Sequence, residues 1–170
     1  MVPGGVAVAG GPLILDAAAI LQGGTFLAGQ ALMTVPAVAA ELAGEPYFEG
    51  LCAAGLAVVA PTPESRAEVM RAAKRLGEER TLSAADLEVL SLAFERDAEG
   101  AVLLTDDYAL QNVATALGVA FAPIRERGIS EVRTYGRRCR SCRRWATVAE
   151  TKEVCAVCGG PLGRARQGPV

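Results

Sequence analysis

AVLLTDDYALQNVATAL, residues 101–117, passes from an apolar run through a pair of acids into a helical pattern. Ala101–Thr105 reads as a short buried strand and Tyr108–Leu117 as a helix, stopped at Gly118. Val119-Ala120-Phe121 then returns as a brief strand. The same strand–acid–helix order stands at the other end, where Leu13-Ile14-Leu15 runs into Asp16 and a small helical turn. Between them, Leu32–Val35 leads into a helix over Ala37–Ala43, with Thr34 as its expected cap and Pro36 in its first turn. Leu56–Ala60 reads as a buried strand, and Glu64–Arg75 as an amphipathic helix halted by Gly77. Ser83 is expected to cap a helix reaching about Asp97, with Leu87, Leu90 and Phe94 on its buried face. Short apolar strands alternating with helices predict an α/β fold, a parallel sheet covered on both faces. Gly10-Gly11 precedes the first strand instead of following it, so a nucleotide-binding glycine loop is not expected.

The chain of 170 residues has a net charge of −2, no histidine and five cysteines. That small net charge hides a division. Residues 1–132 carry 8 Lys+Arg against 17 Asp+Glu (−9), and residues 133–170 carry 9 against 2 (+7). The acidic part and the basic part are expected to do different work. No run of about 20 apolar residues is free of charge and breakers, which argues against a membrane span. The opening MVPGGVAVAGG lacks a basic region, so no signal peptide is expected and the chain reads as cytoplasmic. In that setting, paired cysteines point to metal before disulfide. The expected organisation is an α/β domain over 1–123, a linker over 124–135, a metal-binding ribbon over 136–165 and a short tail over 166–170.

Cys139-x2-Cys142 and Cys155-x2-Cys158 are the ribbon's signature. Two such knuckles place four thiolates around one structural zinc ion, and twelve residues between them suffice for a hairpin. Cys52, alone in an alanine-rich stretch, reads as a small buried hydrophobe. Zinc does not explain the arginines. Arg137, Arg138, Arg140, Arg143 and Arg144 crowd around Trp145, and guanidinium forks beside an aromatic face suit phosphates and stacked bases. These six residues are the expected RNA-binding set.

Four acids stand out in the remainder. Asp16 and Asp107 follow apolar strands, Asp86 lies in the first turn of the helix after Ser83, and Glu41 lies on the helix that opens near Pro36. Groups past the carboxyl ends of parallel strands share a crevice. Carboxylates gathered there repel one another unless divalent cations lie between them, and oxygen ligands suit Mg²⁺ or Mn²⁺. Each acid also has a simpler use, since Asp16, Asp106 or Asp107 could cap a helix and Ser83-x-x-Asp86 resembles a capping box. Spacing leaves both uses open.

LILDAAAIL, VPAVAAEL, LSAADLEVLSLA and LLTDDYALQNVA, in this order, resemble the PIN-domain ribonucleases. With a four-cysteine ribbon behind TDDYALQNVA, the chain is similar to the archaeal branch of the NOB ribosome-maturation endonucleases, from about Leu13 to Leu162. The resemblance implies an endoribonuclease that trims the 3′ end of small-subunit ribosomal RNA from its precursor. Its catalytic acids are then Asp16, Glu41, Asp86 and Asp107, with Mg²⁺ or Mn²⁺ on Asp16, Asp86 and Asp107, and Asp106 beside them as an outer partner. Precursor RNA and the pre-ribosomal small subunit are the implied partners. Two positions depart from the family's pattern: Ala17-Ala18 replaces a hydroxyl-bearing pair, and Arg143 stands where glycine is usual. Two other functions fit parts of the sequence, a toxin-type PIN ribonuclease and a catalytically silent RNA-binding assembly protein. No surface in the sequence indicates an oligomeric state.

Overall fold

The computed structural model describes residues 10–22, 29–125, 128–129, 131–147, 150 and 152–169. Residues 1–9 of the opening stretch judged for a signal peptide, residues 126, 127 and 130 of the expected linker, and Val170 lie outside the described residues. Five strands, β1 (Leu13–Leu15), β2 (Leu32–Thr34), β3 (Ala57–Val58), β4 (Val102–Leu104) and β5 (Phe121–Ala122), form an all-parallel sheet in the order β3-β2-β1-β4-β5. Among the described residues, six α-helices connect and flank them: α1 (Ala17–Gln22), α2 (Pro36–Glu41), α3 (Pro46–Ala53), α4 (Pro63–Leu76), α5 (Ala84–Glu95) and α6 (Tyr108–Leu117). The chain lays β2 and β3 to one side of β1, then crosses back to place β4 on the other side, with Leu15 opposite Leu104. That reversal is the switch point at which parallel sheets open a crevice.

Local chemistry accounts for most boundaries. Thr62 caps α4, and Gly77 ends it in the left-handed conformation at φ 71°. There a Cβ would stand 2.0 Å from the carbonyl oxygen of Tyr135, so glycine is needed for close approach as well as for φ. Thr34, expected as the cap of α2, does something else. It ends β2, and its hydroxyl donates to the Leu15 carbonyl at 2.9 Å, while Val35 stands at the cap position without a side-chain bond. Leu56–Ala60 is not a buried strand. Only Ala57–Val58 pair, at the edge of the sheet, and Val58 is 44% exposed. An edge strand has one partner and one open side, which an apolar run alone does not reveal.

The core is continuous from Leu13, Ile14 and Leu15 through Val69 and Leu90 to Leu103 and Leu110. α5 is buried on more than the stripe expected of it, because it packs against α4, α2 and α6 and also against β1 and β4. Val89, Leu90, Ser91, Leu92 and Ala93 are all buried, whereas Leu87 and Phe94 are partly so. Cys52 is half-buried against this core, on α3.

Strands β6 (Arg133–Cys139) and β7 (Leu162–Pro169) form a separate antiparallel pair with an irregularity between Thr134 and Tyr135. β6 opens inside the interval read as a linker, and β7 runs into the one read as a tail. The pair's root is fastened to the α/β domain. Asn112 of α6 donates to the Arg133 carbonyl at 2.7 Å and accepts from the Arg133 N–H at 2.7 Å. It also donates to Glu78 at 3.0 Å, and Glu78, 1% exposed, forms an ion pair with Arg164 of β7. The Arg164 guanidinium lies 3.5 Å from the centre of the Tyr135 ring, and Arg80 reaches Glu153 at 2.8 Å.

Candidate active site and zinc centre

Asp16 leaves the carboxyl end of β1 and is buried. Its Oδ1 accepts from the Ala19 N–H at 2.6 Å, which caps α1. Burial chiefly drives its carboxyl above the ordinary aspartate range. Hydrogen bonds from the Thr105 hydroxyl and the Ala19 N–H oppose the rise, and the charges of Asp86 and Asp107 add to it. Asp86 and Asp107 therefore act on Asp16 although 70 and 91 positions separate them from it in the chain. Glu41, exposed at the end of α2, is not among the groups that chiefly perturb Asp16.

All three aspartates also have the simpler use. Asp107 caps α6, its Oδ1 accepting from Ala109 at 2.6 Å and Leu110 at 3.0 Å. Ser83 and Asp86 complete a capping box: Ser83 N–H donates to Asp86 Oδ2 at 2.8 Å, and Asp86 N–H donates to Ser83 Oγ at 3.1 Å. Yet these bonds use Oδ1 of Asp107 and Oδ2 of Asp86, and each leaves its other carboxylate oxygen for a further partner. Capping and ligation are compatible here. Asp106 faces elsewhere, its Oδ1 accepting from Ile124 at 2.7 Å and Arg125 at 3.1 Å in the segment after β5.

In the sequence, Thr105 stands out only as the last residue of the apolar run Ala101–Thr105. It is wholly buried. Its hydroxyl accepts from the Asp107 N–H at 3.0 Å and acts to lower the Asp16 carboxyl, so one side chain bears on both acids. Gln111 holds the Thr105 carbonyl from below at 3.0 Å. The donor set of Asp16, Asp86 and Asp107, all oxygen and mutually repelling, fits a hard divalent cation. It is looser than the cysteine cluster, which among the described residues is the one group of three or more possible ligands with donor atoms all within 4.8 Å of one another.

In that cluster, Cys139 and Cys158 sulfurs stand 3.5 Å apart, and those of Cys142 and Cys155 3.8 Å. Four ligands about 2.3 Å from a tetrahedral zinc stand about 3.8 Å from each other, so the thiols fit zinc. Backbone N–H groups of Cys158 and Val157, with the Arg144 guanidinium, hold the Cys155 thiol down to about 6, which favours the thiolate that zinc needs. Arg143, at φ 64°, is the one non-glycine residue with positive φ among the described residues, in the turn where glycine is usual.

The arginines divide. Arg137 donates to the carbonyls of Glu150 and Lys152, Arg138 donates to the Arg143 carbonyl at 2.7 Å, and Arg144 pairs with Glu150. Arg138 also lies over the Trp145 ring, 5.4 Å from its centre. These three brace the ribbon's own loops. Arg140 and Arg143 are exposed, their guanidinium groups make no hydrogen bond or ion pair among the described residues, and Trp145 is partly exposed.

A parallel sheet of this order, with aspartates past β1 and β4 and another on α5, is the arrangement of a PIN domain, and the family profile "PIN domain of ribonuclease" matches residues 13–95. Endoribonuclease Nob1 of Archaeoglobus fulgidus is 36% identical over 148 residues, covering 86% of each chain. Endoribonuclease Nob1 of Pyrococcus abyssi is 36% identical over 154 residues, covering 88% of this chain and 91% of its own. Ribonuclease VapC3 of Aeropyrum pernix is 37% identical over 123 residues, covering 65% of this chain and 88% of its own. The chain belongs to the Nob1 endoribonuclease family. No helix among the described residues is long and apolar enough to cross a membrane.

Proposed function

We propose that the chain is a metal-dependent endoribonuclease that processes the 3′ end of small-subunit ribosomal RNA from its precursor, in the cytoplasm and on the pre-ribosomal particle. The observation that carries this reading is the buried carboxyl of Asp16, raised partly by the charges of Asp86 and Asp107 at the switch point of the sheet. Asp16, Asp86 and Asp107 would hold Mg²⁺ or Mn²⁺, with Glu41 joining from the end of α2. Such an ion, when bound, activates a water and offsets charge on the scissile phosphate. Thr105 orients Asp16 for this work, and the caps of α1, α5 and α6 fix the direction of each acid. The ribbon, with zinc on Cys139, Cys142, Cys155 and Cys158, supplies attraction that an acidic domain lacks. Arg140, Arg143 and Trp145 contact the strand, while Arg137, Arg138 and Arg144 hold the surface in shape.

The test is an RNA spanning the mature 3′ end, incubated with Mn²⁺ or Mg²⁺ and mapped at nucleotide resolution. One cut at the mature end, lost in Asp16→Asn, is the expected result. Scattered cuts would mark a ribonuclease of the toxin type. The cap bonds of all three aspartates also suit a silent RNA-binding protein, and RNA left intact under every metal condition would establish that reading instead.

A further inference from the structure

α6 is buried along Ala109–Ala114, yet it opens with a tyrosine that is 50% exposed. Tyr108 directly follows Asp107, whose carboxylate caps the same helix. Residues four apart share a helix face, so Tyr108 stands over Asn112, about 6 Å away along the axis. Asn112 is the residue bonded on both sides to the backbone of Arg133, where the strand leading to the zinc centre begins. The first two turns of α6, then, carry an acid of the candidate active site at the cap, a half-exposed aromatic ring next to it and, one turn on, the residue that holds the root of the ribbon. On the endoribonuclease reading, RNA that reaches Asp107 comes beside this ring, one residue further along the chain. Where an ion on the acids would hold the phosphate, some other group has to hold the base. A neutral ring can do so by stacking on an unstacked base.

We propose that Tyr108 is a stacking platform for one base of single-stranded RNA next to the cleaved bond, and so a positioning residue; this rests on the endoribonuclease reading given above. The ring, and not the hydroxyl, carries the role, and it selects for an unpaired nucleotide without reading its sequence. A base in a duplex is already stacked on its neighbours and has no face to offer.

The whole chain is tested with a single-stranded RNA of about ten nucleotides, in which an abasic residue is moved position by position. Affinity and single-turnover cleavage are both measured. Tyr108→Ala is expected to weaken binding about tenfold, and Tyr108→Phe to recover what alanine loses. With the abasic residue at one position, the wild type and Tyr108→Ala become equal; at the others the difference remains. A merely structural role for Tyr108 would leave the difference the same at every position, which overturns the proposal. Equal affinity of wild type and Tyr108→Ala for the intact RNA overturns it also. The two readings fail separately. RNA that is bound in a Tyr108-dependent way but never cut defeats the nuclease and keeps the platform, whereas normal cutting with no dependence on Tyr108 does the reverse.

Discussion

Asp16 has a structural task and a chemical one, and its charge serves only the second. As a cap it needs an acceptor oxygen, which asparagine supplies nearly as well. As a buried anion beside Asp86 and Asp107 it is held at a cost. Because its folded pKa lies above the unfolded one, the folded state binds the proton more tightly. Stability from this group is present below the ordinary aspartate range and is lost as pH rises through the raised value. Asp16→Asn should therefore abolish cleavage while raising Tm at neutral pH, measured without added Mn²⁺ or Mg²⁺. The gap in Tm should shrink as the pH falls through that window; a variant less stable than wild type at pH 7 would contradict the burial argument. Thr105→Val should act in the other direction on the same carboxyl. Without the hydroxyl bond the pKa rises further, so the acid limb of the pH–rate profile should move to higher pH. A limb left in place would mean that Thr105 does not govern Asp16. Asp16, Asp86 and Asp107 stood out as candidates in the sequence because each follows a strand or opens a helix. The hydroxyl between two of them did not, since only the fold brings Thr105 against Asp16.

At the scale of elements, caps and turns decide which segments keep their shape. The box of Ser83 and Asp86 opens α5, the helix that packs against three others and two strands. Ser83→Ala should cost about 1 kcal/mol, read by denaturant titration, and should also loosen Asp86 and lower the cleavage rate. Ser83→Thr, which keeps the oxygen, should restore most of both. Arg143 is the converse case. Its φ of 64° costs an L residue about 1 kcal/mol and glycine almost nothing. Arg143→Gly should make the ribbon more resistant to chelator while removing one exposed cation, so that RNA affinity falls and its salt slope flattens by about one. No gain in chelator resistance would show that the turn is not strained. Helices α4 to α6 were legible from Ser83, Gly77 and Gly118, residues whose chemistry is local. α3 and the edge position of β3 were not. Gly50 and Cys52 break the periodicity of the one, and pairing partners far along the chain decide the other.

The whole molecule is two differently built halves joined at a buried acid. The α/β half is held by a continuous apolar core, whereas the cysteine cluster has Cys139, Cys155 and Leu162 for its buried hydrophobic side chains. A module that small depends on its metal, so chelation should release the ribbon and leave the α/β half folded. The charge division and the cysteine spacing made these halves legible in the sequence. Their joint was not, because Glu78, Asn112 and Arg164 lie far apart in the chain and none carries a motif. Yet the joint sets the distance from the arginines of the ribbon to the acids. Glu78 is 1% exposed and receives both Asn112 and Arg164, so its removal leaves those donors without their acceptor. Arg164 is half in solvent, and its loss costs less than that of the buried partner. Glu78→Ala should thus destabilise the chain by about 3 kcal/mol and Arg164→Ala by about 1 kcal/mol or less. The milder variant is the informative one. With both halves still folded, Arg164→Ala should bind RNA through the ribbon almost as before but cut more slowly or at a displaced position, because the acids no longer stand at a fixed distance from the bound strand. Cleavage unchanged in both rate and position would mean that the ribbon works as a tether, with the joint contributing to stability alone.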